Sequence, residues 1–180
     1  RHTDFNPWFK NILGWAADSQ VQTVTASGTY RINRLDNSTG TGLLGLKIPR
    51  DGTRNYWVGV RRSFTTNASM QNGAYVIWGY NTNQVSNLLD LTTPGTNDQD
   101  AALGVGATLT DTSGNLSIRT VATGGTAPNE YIDVQVTLAV NGAPLISAHP
   151  QSQFFTAGAA IAFSVTATGT APLSYQWRKN

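Results

Sequence analysis

The chain has 180 residues, enough for one or two domains with a real core, and no cysteine, which excludes disulfides and cysteine-based zinc sites. Hydrophobic residues make up 39% and charged residues only 12%, about half the usual share, and the formal net charge is +2. That mixture suits short strands and turns rather than disorder, and no run approaches the roughly 20 apolar residues that span a bilayer.

The first predicted element is a helix over 6–13. Asn6 is a good N-cap, and Pro7 falls at the first helical position, where its missing N–H costs nothing. Trp8, Phe9, Ile12 and Leu13 follow at i, i+1, i+4 and i+5, and Gly14 is a natural stop. A helix of two turns does not hold itself together in water. Its aromatic residues are therefore expected to pack: Leu13 and Trp15 on the β domain that follows, Trp8 and Phe9 towards a domain upstream. The chain opens on Arg1-His2-Thr3 without Met, which fits a fragment of a longer protein.

Strands are predicted over 20–26, 29–35, 43–49, 55–63, 74–80, 86–91, 105–110, 115–122 and 131–140. Turn signals such as Ser27-Gly28, Asp51-Gly52, Asn72-Gly73 and Ser113-Gly114-Asn115 separate them. This spacing argues for an antiparallel β-sandwich with a short N-terminal helix. In 131–140 the residues Ile132, Val134, Val136, Leu138 and Val140 alternate with a mostly polar set, so one face is buried and the other wet. Segment 74–80 is apolar on both faces, which places it centrally with cover on both sides, or makes it a docking surface.

Asn-Gly-Ala-Pro at 141–144 reads as a boundary, giving a helical tail at 1–17, a sandwich at 18–142 and a third segment at 143–180. That last segment resembles the opening of a bacterial immunoglobulin-like domain. The resemblance makes Pro150-Gln151-Ser152-Gln153 strand A. Ile161, Phe163, Val165 and Ala167 become the inward face of strand B, and Tyr175-Gln176-Trp177 becomes strand C. It implies an immunoglobulin-like core of Phe163, Val165 and Trp177, with the later strands lacking.

Chemistry-bearing motifs are few. There is no His-Glu-x-x-His, no Gly-x-Ser-x-Gly and no phosphate-binding Gly-Lys-Ser/Thr loop, and the two histidines, His2 and His149, are far apart in sequence. Asn97, Asp98 and Asp100 form a polar loop that offers oxygen ligands to calcium; an ordinary acidic turn is the plain alternative. Trp57 and Trp78 are candidates for a sugar-stacking platform, with burial in the core as the plain alternative. Arg31, Arg34, Lys47, Arg50, Arg54, Arg61 and Arg62 are spread over several strands and turns, a pattern of solvated faces rather than a nucleic-acid site.

Lys10 with Leu13-Gly14-Trp15 resembles the Lys-x-x-Leu-Gly-Trp segment that follows the catalytic domain of secreted bacterial gametolysin-like zinc metallopeptidases. Three further stretches resemble the β domain that comes next in those proteins: Asn72-Gly73-Ala74-Tyr75-Val76-Ile77-Trp78, Leu88-Leu89-Asp90, and Thr93-Pro94-Gly95-Thr96 with Asp100-Ala101-Ala102-Leu103-Gly104-Val105-Gly106. The resemblance implies a secreted, extracellular, non-catalytic C-terminal accessory region. It would pack on and support an upstream peptidase domain through Trp8, Phe9, Leu13 and Trp15, and any zinc would lie in that upstream domain. The alternative is a carbohydrate- or surface-binding adhesion module of a non-peptidase secreted protein, with a polysaccharide or cell-surface ligand. Neither reading involves nucleic acid or membrane.

Overall fold

A computed structural model describes residues 5–36, 41–63, 68–80, 85–91, 100–138, 145–168 and 173–178. The chain divides into two compact units, Arg1–Leu138 and Ala139–Asn180.

The first unit is an all-β sandwich with a short helix laid on one outer face. Strands β1 (Val21–Thr23), β3 (Gly45–Pro49), β4 (Arg54–Gly59), β5 (Gly73–Tyr80) and β6 (Ser86–Leu88) neighbour one another in that order. The short strand β7 (Leu103–Gly104) pairs with the start of β5, and β1 joins β3 in parallel. The second sheet runs β2 (Gly28–Asn33), β10 (Tyr131–Leu138), β9 (Leu116–Gly124), β8 (Thr108–Asp111), with antiparallel pairing throughout.

Alternation decides what the two sheets bury. Leu46, Ile48, Tyr56, Val58 and Val76 of the first sheet meet Ile32, Leu116, Ile118, Ile132, Val134 and Val136 of the second. The alternation expected over 131–140 is observed over the described residues 131–138, with Ile132, Val134 and Val136 fully buried. Segment 74–80 is central, as its two apolar faces imply. Ala74 and Val76 face the inter-sheet core, while Tyr75 and Ile77 face a second cluster with Trp8, Ala16, Leu35, Leu44, Trp57 and Met70.

That second cluster exists because helix α1 (Pro7–Ile12) covers it. Its ends follow local chemistry: Asn6 Oδ1 accepts from the Phe9 N–H at 2.9 Å, Pro7 begins the helix, and Gly14 takes φ +72° after the Leu13 cap. Its orientation differs from the expected one. Trp8 is buried at 7% exposure, whereas Leu13 and Trp15 are 48% and 62% exposed.

The reason lies in the sheet. Gly45 and Gly59 leave a notch for Pro7; a Cβ there would stand 2.8 and 2.6 Å from the Pro7 ring carbons. Polar anchors do the rest: Lys10 Nζ donates to the Leu35 carbonyl at 2.7 Å, and Asn11 Nδ2 donates to Asp18 Oδ1 at 2.9 Å. The helix is thus held by Pro7, Trp8, Lys10 and Asn11, and its Ile12–Leu13 side is left outward.

In the second unit, β11 (Leu145–Ala148) pairs antiparallel with β12 (Thr166–Thr168). No strand forms over 150–153 or 175–177. The expected immunoglobulin-like core is not formed: Phe163 and Trp177 are 49% and 61% exposed, and Val165 is half-buried. Among the described residues these two strands have no opposing sheet to cover them; Val165 and Trp177 line an open groove of about 460 Å³ with Ile146, Leu173 and Tyr175, and the Phe163 and Trp177 rings stand 6.5 Å apart.

Candidate functional site

Among the described residues of the sandwich, side chains with chemical potential converge in three places. One is a charged cluster at one end of the sandwich. Asp111 accepts from Arg50 Nε at 2.5 Å, from the Tyr56 hydroxyl at 2.7 Å and from the Gly114 N–H at 2.9 Å. Asp51 holds Arg50 Nη1 at 2.7 Å and Arg54 Nη2 at 2.9 Å. Burial pushes the Asp111 carboxyl up, but the Gly114 N–H, the Tyr56 hydroxyl and the Arg50 guanidinium outweigh it and hold it below the ordinary carboxylate range. Burial and the neighbouring Asp111 push the Tyr56 phenol up. Donors and acceptors are matched here, and the cluster joins the β3–β4 turn of one sheet to the β8–β9 turn of the other. Its work is structural.

The second place is a similar tie at the end of β2. Arg34 donates to Asp36 at 2.9 Å, to both Glu130 oxygens at 3.2 Å and to the Ser63 hydroxyl at 2.6 Å. Asp36 also accepts from the Arg62 and Ser63 N–H groups at 3.0 and 2.7 Å. Burial raises Asp36, but these donors win and its carboxyl lies below the ordinary range. This cluster too is internally matched.

The third place is the outer face of the first sheet around α1. Phe5, Leu13 and Trp15 are exposed there and Phe9 is half-buried. Phe5 sits edge-on to Trp15 at 5.3 Å and 6.1 Å from Phe9, so the rings form one continuous apolar patch. Beside it runs an open groove of about 350 Å³ that shares Phe5 and Phe9 and is floored by Tyr75, Ile77 and Met70. Asn6 Nδ2 donates to the Ser86 hydroxyl at 3.1 Å across one wall, and the Arg61 guanidinium stacks over the Tyr75 ring at 5.0 Å. A contiguous apolar surface with polar groups at its rim is what an interaction site looks like.

The sugar platform suggested by Trp57 and Trp78 is not assembled. Opposite partners in the β4–β5 ladder are Tyr56 with Trp78 and Trp57 with Ile77, so the two tryptophans point to opposite faces of the sheet. Trp57 is 4% exposed, and Trp8 lies 6.4 Å from it. The Trp78 ring is flanked by Arg54 at 4.8 Å and Tyr56 at 6.0 Å. A two-ring stacking platform needs both rings on one open face, and alternation along two paired strands puts these two on opposite faces.

Of the calcium candidates, Asn97 and Asp98 lie outside the described residues. Asp100 is half-buried beside β7, and among the described residues it belongs to no group of three or more potential metal-ligating side chains. Among the described residues no helix is long and apolar enough to cross a membrane.

Of the four residues expected at an interdomain joint, Phe9, Leu13 and Trp15 contribute to the exposed patch and Trp8 does not. Sequence reasoning missed Phe5, which precedes the helix cap and carried no periodic signal, and the groove residues Arg61, Met70 and Ser86. These come from three separate stretches that only the sheet order brings together. Comparison with known proteins gives no matching family model, no matching curated protein and no matching solved structure.

Proposed function

We propose that this chain is a non-catalytic β-sandwich accessory region that docks on a neighbouring domain of its own polypeptide through the α1 face. The observation that carries this is the patch of Phe5, Phe9, Leu13 and Trp15, on and beside a helix that is seated on the sheet through Pro7 and tied to Leu35 and Asp18 through Lys10 and Asn11. Burying one such side chain contributes roughly 1.5–3 kcal/mol, so covering the patch would supply substantial docking energy. The matched clusters around Asp111 and Asp36 support a scaffold role, because their charged groups are consumed in holding the sandwich together.

The finer reading is that the docked domain is the peptidase domain of a secreted bacterial zinc metallopeptidase. It is supported by the resemblance of Lys10, Leu13-Gly14-Trp15 and 72–78 to the region after that catalytic domain. Any zinc would then be held by the upstream domain.

Two measurements separate these levels. In the longer parent chain, backbone hydrogen exchange over 9–16 should be slower than in the 180-residue chain, since a docked patch is protected. Equal exchange would remove the docking reading. A His-Glu-x-x-His in the coding sequence before Arg1 supports the peptidase reading, and its lack sinks that reading while leaving the docking one to stand or fall on exchange.

A further inference from the structure

We infer that the edge strand β6 pairs with β6 of a second copy of this chain, antiparallel about a two-fold axis at Asn87, so that the first sheet continues across two molecules. The inference goes beyond the docking of the α1 face and does not depend on it.

β6 ends the first sheet, with β5 as its neighbour on one side. That pairing sets the phase of its main chain. The Val85 carbonyl accepts from the Tyr80 N–H at 3.4 Å, and the Leu89 N–H donates to the Val76 carbonyl at 3.0 Å. Successive residues of a strand turn their main-chain groups to opposite sides. Positions 85, 87 and 89 therefore serve β5, and the N–H and carbonyl groups of Ser86 and Leu88 point away from it. Among the described residues no strand lies on that outer side. Donors and acceptors repeating at strand spacing are matched best by another strand.

This edge lacks the devices that keep strand edges apart. Val85-Ser86-Asn87-Leu88-Leu89 holds no charge and no proline, and Val85 and Leu88 are 48% and 38% exposed. The edges of the second sheet differ: β2 carries Arg31 and β8 ends on Asp111.

The same five residues are complementary to themselves. With the axis at Asn87, Ser86 opposes the second copy's Leu88, and each such pair exchanges both of its outward N–H···O bonds. Val85 opposes Leu89, apolar on apolar, at the border of the inter-sheet core against which Leu89 packs. Asn87 opposes Asn87, and one side-chain amide donates to the other. Leu88 arrives beside Ser86, at the groove floored by Ile77. An axis between two residues would set outward groups against inward ones. An axis at Ser86 or Leu88 would carry part of the three-residue strand past the end of its partner. Like charge does not oppose the pair. Asp90, the first charged residue after the strand, would lie roughly 20 Å from its copy, beyond a Debye length of about 8 Å.

Area sets the strength. Covering Val85, Leu88 and five residues of strand edge removes roughly 400 Å² per copy, about half of the roughly 800 Å² per partner of a standard stable complex. The dimer is therefore of the weak class, with a dissociation constant on the order of 0.1 mM.

The chain has no cysteine, so one introduced thiol reports on the axis directly. Opposed residues of a non-hydrogen-bonded antiparallel pair stand about 4.5 Å apart at Cα, inside the range of about 4.4–6.8 Å that a disulfide spans. Asn87→Cys should therefore cross-link to a dimer on mild air oxidation about tenfold faster than Val85→Cys, whose copies would lie roughly 14 Å apart along the strands. In sedimentation equilibrium the unmodified chain should pass from monomer to dimer between roughly 10 µM and 1 mM. Leu88→Lys sets two like charges roughly 7 Å apart across the axis and should raise the midpoint about tenfold. Its circular dichroism should match that of the parent chain, because Leu88 is already exposed.

A chain that stays monomeric at about 1 mM overturns the inference. So does a dimer in which Asn87→Cys cross-links no faster than Val85→Cys, or one that Leu88→Lys leaves intact, because association then uses another surface. Hydrogen exchange over 9–16 in the parent chain tests the docking reading separately from all of these.

Discussion

Trp8→Ala is the substitution on which the account of α1 depends. Trp8 is 7% exposed, packed against Trp57 at 6.4 Å and Phe9 at 4.9 Å. A tryptophan of this kind removes roughly 200 Å² from water, which at about 25 cal/mol per Å² corresponds to about 5 kcal/mol for the whole side chain. Alanine keeps its own methyl, and one wall of the site is a six-residue helix that can settle into part of the gap. The expected loss is therefore about 3–4 kcal/mol, inside the range for aromatic deletions from cores. Trp15→Ala, at 62% exposure and touching Phe5 edge-on, should cost under about 1 kcal/mol. The assay is urea unfolding followed by circular dichroism, since five tryptophans confuse a fluorescence baseline. If Trp8→Ala stays within 1 kcal/mol of the parent chain, or Trp15→Ala is the costlier change, α1 is not seated as described and the patch argument fails with it.

Gly59→Ala should dislodge the same helix from beneath, because its Cβ would stand 2.6 Å from the Pro7 ring and 2.8 Å from Leu35. Increased hydrogen exchange over 6–13 would check it, and unchanged exchange would refute the notch. Asp111→Asn should destabilise the sandwich by about 2–3 kcal/mol, below the figure for a wholly buried pair because Arg50 keeps Asp51 as a partner. Acid should weaken the protein in a defined direction. Asp36 and Asp111 have folded-state pKa values held below the ordinary one, so their contribution is complete above the unfolded-state value of about 3.9 and is lost as pH falls through the folded values. Urea melts between pH 6 and pH 2 should show this loss, shallower in Asp111→Asn; a stability independent of pH in that range contradicts it. Limited proteolysis should cut first between Leu138 and Ala148, where the chain passes from one compact unit to the other, and a first cut within 55–80 would refute that division.

Much of the architecture was legible without coordinates because its causes are local. The α1 start is written in Asn6 and Pro7, whose cap and fixed φ act within one turn. The sandwich strands fall close to their predicted places because a period of two with Gly and Asn turns needs only near neighbours. The seam of the sheets was legible too in Ile132, Val134 and Val136. The short β7 was not, since two residues carry no period and pair only because Gly73 lets Leu103 approach.

Other features belong to tertiary structure alone. Periodicity gave α1 an apolar face of Trp8, Phe9, Ile12 and Leu13, but the expectation that Leu13 and Trp15 meet the sheet had no local signal behind it. The notch at Gly45 and Gly59 and the reach of Lys10 to Leu35 chose Trp8 over Leu13. Trp57 and Trp78 looked alike as rings in strands, and only the β4–β5 register placed them on opposite faces. Arg50 and Asp111, 61 residues apart, meet because two hairpin turns from different sheets end at the same edge. The groove joins Phe9, Arg61, Met70 and Ser86 for the same reason. A sequence specifies what each short segment prefers; which segments become neighbours is decided by the burial they achieve together, and a surface site made from four of them has no local signature to read.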